Sequence, residues 1–222
     1  MNPKYKKFLF WIFIFGVAFG FIEASVVVYL RQLYYPGNFS FPIKLISDKT
    51  MLVEFFRELA TLILIFSASY VAGRTKMERF GFFMYIFGIW DIFYYVFLKI
   101  ILNWPSSILD YDLLFFIPVA WVGPVLAPVI ISILLITAGI TIIYFENNDY
   151  KIYNTKLTWM LEITGGLVVI VSFILSVGDV LNQTYPKHFY WWFFFLGVLI
   201  ALVPFIYSVY KTLKNRKNKI SQ

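Results

Sequence analysis

The sequence predicts an all-α fold, a polytopic membrane protein of six transmembrane helices with a short interfacial or re-entrant helix between spans three and four. Three observations carry this expectation. Hydrophobic residues make up 61% of the 222-residue chain and charged residues only 14%, well away from the balance of a soluble domain. The apolar residues come in long uncharged runs, matching the roughly 20 residues a helix needs to cross a ~30 Å hydrocarbon core. Short breaks rich in Pro, Gly, Asn and basic residues separate the runs, as turns between spans require.

Span one covers about 8 to 30. Lys4, Lys6 and Lys7 precede an apolar run from Phe8 to Leu30. The run is long enough to cross, and its bulky middle offers no small-residue cleavage site, so it reads as a span and not as a signal peptide. Gly16, Gly20 and Ala24 recur every four residues, making a stripe on which another helix packs closely. Glu23 lies beside that stripe. Residues 31–51 carry Pro36, Gly37, Asn38, Ser40 and Pro42 and read as an ordered loop. Span two, about 52 to 72, opens with Glu54, Arg57 and Glu58 on one helical face, with Thr61 and Ala68 continuing a polar or small stripe. A guanidinium keeps its charge on burial, so Arg57 is expected to pair with at least one of Glu23, Glu54, Glu58 and Asp91.

Span three, about 80 to 102, places Gly81, Gly88, Asp91, Tyr95 and Lys99 on one side of a helix. Asp91 sits mid-span among Phe, Ile and Tyr. A carboxylate there costs roughly 2.5–3.5 kcal/mol even on lenient insertion scales, so it should face the protein interior. Lys99 either joins that face or snorkels to the interface along its long stem. From Asn103 to Phe145 the chain holds more apolar sequence than one crossing accommodates. Pro105 suits a helix start, Pro118 ends or kinks one, and Gly123-Pro124 begins another. The expectation is a short helix over about 106–117 and a fourth span over about 124–145. Between them Pro118, Trp121, Gly123, Pro124 and Pro128 should line the interior, because irregular backbone at membrane depth needs protein or a water-filled cavity around it.

Span five, about 157 to 180, carries Glu162, Gly165, Val169, Ser172, Ser176 and Asp179 in steps of three or four. Span six, about 189 to 211, begins with an aromatic-belt composition, FYWWFFF, and has a close-packing face at Gly197, Ala201, Pro204 and Ser208. No soluble domain or internal repeat stands out, so residues 1–222 read as one integral membrane domain.

Six spans put both termini on one side. The basic residues around 4–7, 74–79, 151–156 and 211–219 fall on that side, against Arg31, Lys44, Lys49 and Lys187 on the other. The positive-inside rule then places both termini in the cytoplasm of a cell-membrane protein. The net charge of +7 follows from this pattern and touches lipid headgroups; it does not point to nucleic acid. With no cysteine and His188 as the single histidine, neither a thiolate nor a multi-histidine metal centre is expected. No phosphate-binding glycine loop or HExxH motif occurs, and nothing names a cofactor.

The ionisable residues concentrate in the outer half of the expected bundle, around Glu23, Glu54, Arg57, Glu58, Asp91, Tyr95 and Lys99. Three function classes fit that pattern. The first is an accessory or assembly subunit, whose charged stripes fix helix register and a membrane partner or a second copy of the chain. The second is a small ion-coupled transporter. The third is a membrane-embedded enzyme acting on a lipid or isoprenoid-type substrate. A filled interior favours the first, a deep polar shaft the second and a lateral opening to lipid the third.

Overall fold

A computed structural model describes residues 3–35, 48–117, 119–148, 150–175, 177–181, 185–186 and 188–220. The chain is mostly helical: α1 (Pro3–Tyr34), α2 (Asp48–Ala72), α3 (Lys76–Leu102), α4 (Leu126–Asn147), α5 (Lys156–Ile174), the short α6 (Val177–Leu181) and α7 (Trp191–Ile220). Two short strands, β1 (Tyr111–Phe115) and β2 (Trp121–Pro124), separate α3 from α4. Pro118, Ser176, Lys44, Lys187 and the centre of the loop at 31–51 lie outside the described residues.

Among the described residues, α1, α3, α4, the α5–α6 segment and α7 are long and apolar enough to cross a membrane. The second helix is different. Asp48, Lys49, Glu54, Arg57 and Glu58 crowd its first half, leaving the uncharged stretch 59–72. Helix starts are set by local chemistry. Thr75 caps α3 by accepting from the Glu78 N–H, and Thr155 with Thr158 forms a reciprocal capping box on α5.

The short helix expected over 106–117 is replaced by an antiparallel hairpin. Tyr111 faces Pro124, Asp112 faces Gly123, Leu113 faces Val122, and a register shift brings Phe115 opposite Trp121. The carboxylate of Asp110 explains why no helix starts after Pro105. Its Oδ2 accepts from the Ser106 and Ser107 N–H groups at 2.7 and 3.0 Å, turning the chain where a first helical turn would form. The run YDLLFFI is too short and too apolar for periodicity to separate strand from helix. Pairing with β2 then satisfies its backbone, helped by bonds from Val125 N to the Asp110 carbonyl and from Leu126 N to the Ile108 carbonyl. The fourth helix accordingly starts at Leu126, with Pro128 in its first turn.

Helix α3 is the centre of one group, packing on α1, α2 and α4, while α5 and α7 pack on each other and meet β2. Glycines set the closest approaches. A Cβ at Gly88 would lie 2.6 Å from the Ser132 carbonyl oxygen, and one at Gly20 would lie 2.8 Å from the Trp90 carbonyl oxygen. In the other group, a Cβ at Gly165 would lie 2.4 Å from the Ala201 nitrogen. The groups join at the hairpin, where Ala127, Val169, Phe173, Phe189, Phe194 and Val198 form a buried cluster with Trp121 packed against it. At the opposite end, Tyr5 bonds Glu78, Thr75 bonds Glu146, and the Tyr153 N–H bonds Thr212. Thus the bundle has a hairpin end and a terminal end.

Candidate functional site

The charged residues of α2 recur at three- and four-residue spacing, so Glu54, Arg57, Glu58 and Thr61 share the side of the helix turned to α1 and the hairpin. The Arg57 guanidinium donates to the Glu23 carboxylate of α1 through Nη1 and to Glu54 Oε2 through Nε, the latter at 2.8 Å. Thr61 Oγ1 donates to the other Glu23 oxygen at 2.6 Å. Both acids are buried, so this is a held network and not a solvated helix end. Glu58, also buried, accepts from the Phe116 N–H at 2.8 Å and ties α2 to the residue following β1.

A second ion pair lies toward the hairpin end. Arg31 Nη2 donates to Asp112 Oδ1 at 3.0 Å, with the two side chains only 8% and 2% exposed. The Arg31 guanidinium also lies over the Trp104 ring, 3.8 Å from its centroid, a cation–π contact made stronger by burial. The hydroxyls of Tyr94 and Tyr95 stand beside Asp112. One turn earlier on α3 than Tyr95, Asp91 Oδ2 accepts from Ser132 Oγ of α4 at 2.7 Å, a contact that the close packing at Gly88 permits.

These groups surround a polar chamber of about 120 Å³, lined among others by Glu23, Arg57, Glu58, Asp91, Tyr95 and Asp112. It has room for a few waters or one small polar group. A larger cleft of about 460 Å³ lies between α3 and α4 on one side and α5 and α7 on the other. Its walls are apolar, and Phe80, Ile163 and Gly166 on its lining are exposed. Asp91, Leu114 and Phe115 line both cavities, so the Asp91 carboxylate stands where they meet.

The residues singled out from the sequence separate into groups. Glu23, Glu54, Arg57, Glu58, Asp91 and Tyr95 come together around the chamber. Lys99 does not join them: it is exposed, and its Nζ donates to the Pro105 carbonyl at 2.9 Å, in the segment that follows α3. Trp121 and Pro128 line the cleft, whereas Gly123 and Pro124 are buried in β2, with Gly123 against Phe173 and Phe189. Pro118 falls outside the described residues. Sequence reasoning missed the Arg31–Asp112 pair and Ser132. Arg31 and Asp112 stand 81 residues apart, a separation that hides their pairing in the sequence.

Comparison with protein-family models, with curated proteins and with solved structures finds no match to this chain.

Proposed function

We propose that the chain is a small carrier of the cell membrane, with α2 as the sixth crossing, both termini in the cytoplasm, and Asp91 as the group that exchanges a proton or a cation. One observation carries this reading: Asp91 lines both the charged chamber and the apolar cleft. A carboxylate within a span is costly unless it is used or paired. Asp91 accepts a hydrogen bond from a neutral hydroxyl, Ser132, while Arg57 and Arg31 are engaged by other acids. Irregular backbone beside the cavities, here the hairpin, also suits a carrier. The apolar cleft with exposed residues on its lining supports an enzyme acting on a lipid-type substrate as the second reading. An accessory or assembly role, the first expectation from the sequence, is served best by a filled interior.

The absence of cysteine makes single-cysteine labelling a clean test. Leu114 lines both cavities and leaves Asp91 intact when substituted. For a carrier, Leu114→Cys is expected to react with a membrane-impermeant maleimide from either face of sealed, oriented vesicles. Reaction from one face only would favour the enzyme reading, and protection from both faces the accessory one. The orientation has its own check, since Thr75→Cys and Asn148→Cys should react only from the cytoplasmic face. Reaction of both from outside would reverse the topology.

A further inference from the structure

We infer that the molecule taken up by the cleft is a lipophilic amine, its hydrocarbon part against the apolar walls and its ammonium at Glu162 and Asn154. This deepens the carrier reading and rests on it for transport, though not for binding.

The first observation is charge. Among the described residues lining the cleft, the charged ones are Asp91 and Glu162, both acidic, and no lysine, arginine or histidine reaches it. An anionic head therefore meets only like charge, whereas a cation is favoured wherever along the cleft it rests. The second is unmet hydrogen bonding. Glu162 Oε1 and Asn154 Oδ1 are buried without a hydrogen-bond partner, and both residues line the cleft. Both atoms are acceptors, and leaving a buried acceptor unsatisfied is costly. A ligand that suits them brings donors. A hydroxyl brings one, and an ammonium brings three together with the complementary charge. Asp91 differs, because its Oδ2 already accepts from Ser132.

The third observation is shape. Met77 and Asp91, both on α3 and both lining the cleft, are 91 − 77 = 14 residues apart, about 21 Å at ~1.5 Å per residue. The cleft volume of about 460 Å³ falls within the range of small-molecule sites. Phe80 and Trp159, with ring centroids 5.7 Å apart, line the cleft near the starts of α3 and α5. They offer aromatic faces of the kind that attract an organic cation. Acceptors and aromatic faces thus stand toward the terminal end of the cleft, with a hydrocarbon-lined passage leading from there to Asp91.

The test uses the full chain in lipid nanodiscs, with octylamine, octanol and octyl sulfate as probes that differ only in the head. Binding is read from the saturable rise in Tm with probe concentration. Octylamine is expected to bind at least tenfold more tightly than octanol, with octyl sulfate weakest. Glu162→Gln should bring octylamine down to the level of octanol while leaving octanol unchanged. Asn154→Asp, which adds a second carboxylate, should tighten octylamine further and provides an independent arm if Glu162→Gln does not fold. Gly166→Phe should weaken both probes, because a Cβ at Gly166 meets nothing within 4 Å and a larger side chain there enters the cleft. Equal binding of octylamine and octanol to the unsubstituted protein, or an amine preference that survives Glu162→Gln, would overturn the inference. Amine selectivity together with one-face labelling of Leu114→Cys would uphold the ligand class and remove the carrier reading.

Discussion

Replacing Arg57 with alanine is expected to lower stability by about 3–5 kcal/mol, the usual cost of stripping one partner from a buried ion pair. The substitution leaves Glu23 and Glu54, each no more than 8% exposed at the side chain, facing each other without a cation. For a chain of this size the loss corresponds to a fall in Tm on the order of 10 °C, measurable on the purified protein in detergent. Substituting the acids as well should recover much of it. The triple variant Arg57→Met, Glu23→Gln and Glu54→Gln removes both acids that pair with Arg57 together with their base, so its stability should lie well above that of Arg57→Ala. An unchanged Tm for Arg57→Ala would mean that water, and not Arg57, neutralises the acids, and would dissolve the network as a site.

The second large effect is steric and separates two adjacent glycines. Gly165→Ala is expected to cost about 1–3 kcal/mol as an overpacking change. The new Cβ would fall 2.4 Å from the Ala201 nitrogen and 2.6 Å from the Gly197 carbonyl oxygen, and neither backbone atom can rotate aside. Gly166→Ala, one residue further, meets nothing within 4 Å and should be neutral or gain up to about 1 kcal/mol from helix propensity. Thermal unfolding of the two variants under identical conditions decides the matter. Equal behaviour would show that α5 and α7 do not touch along this line.

The parts of this molecule readable from sequence are those governed by local rules. Uncharged runs marked most of the long helices. Three- and four-residue spacing put Glu54, Arg57, Glu58 and Thr61 on one side of α2, and the cost of a mid-span carboxylate directed Asp91 inward. Longer-range geometry was hidden. In sequence the hairpin is indistinguishable from a helix because YDLLFFI fits either period, and because the Asp110 turn acts through a side chain that leaves no periodic mark. Lys99 shares a helical face with Asp91, yet the unsatisfied carbonyls at the end of α3 are nearer to its ammonium than the chamber is. The Arg31–Asp112 pair spans 81 residues, beyond any spacing rule. The cleft lies where α5 and α7 stand off from α3 and α4, between the hairpin and the Phe80–Trp159 contact, a matter of helix placement that no single segment encodes.

The order in which the charged partners leave the ribosome gives the two ion pairs different histories. Glu23 precedes Arg57 by 34 residues, little more than one span and its loop. Both partners are therefore made before α3, the helix on which α1 and α2 each pack. Asp112, the acid that Arg31 pairs with, follows it 81 residues later, after all of α3. A chain ending after α3 would thus carry Glu23, Arg31, Arg57 and Asp91 but neither Asp112 nor the hairpin wall of the polar chamber.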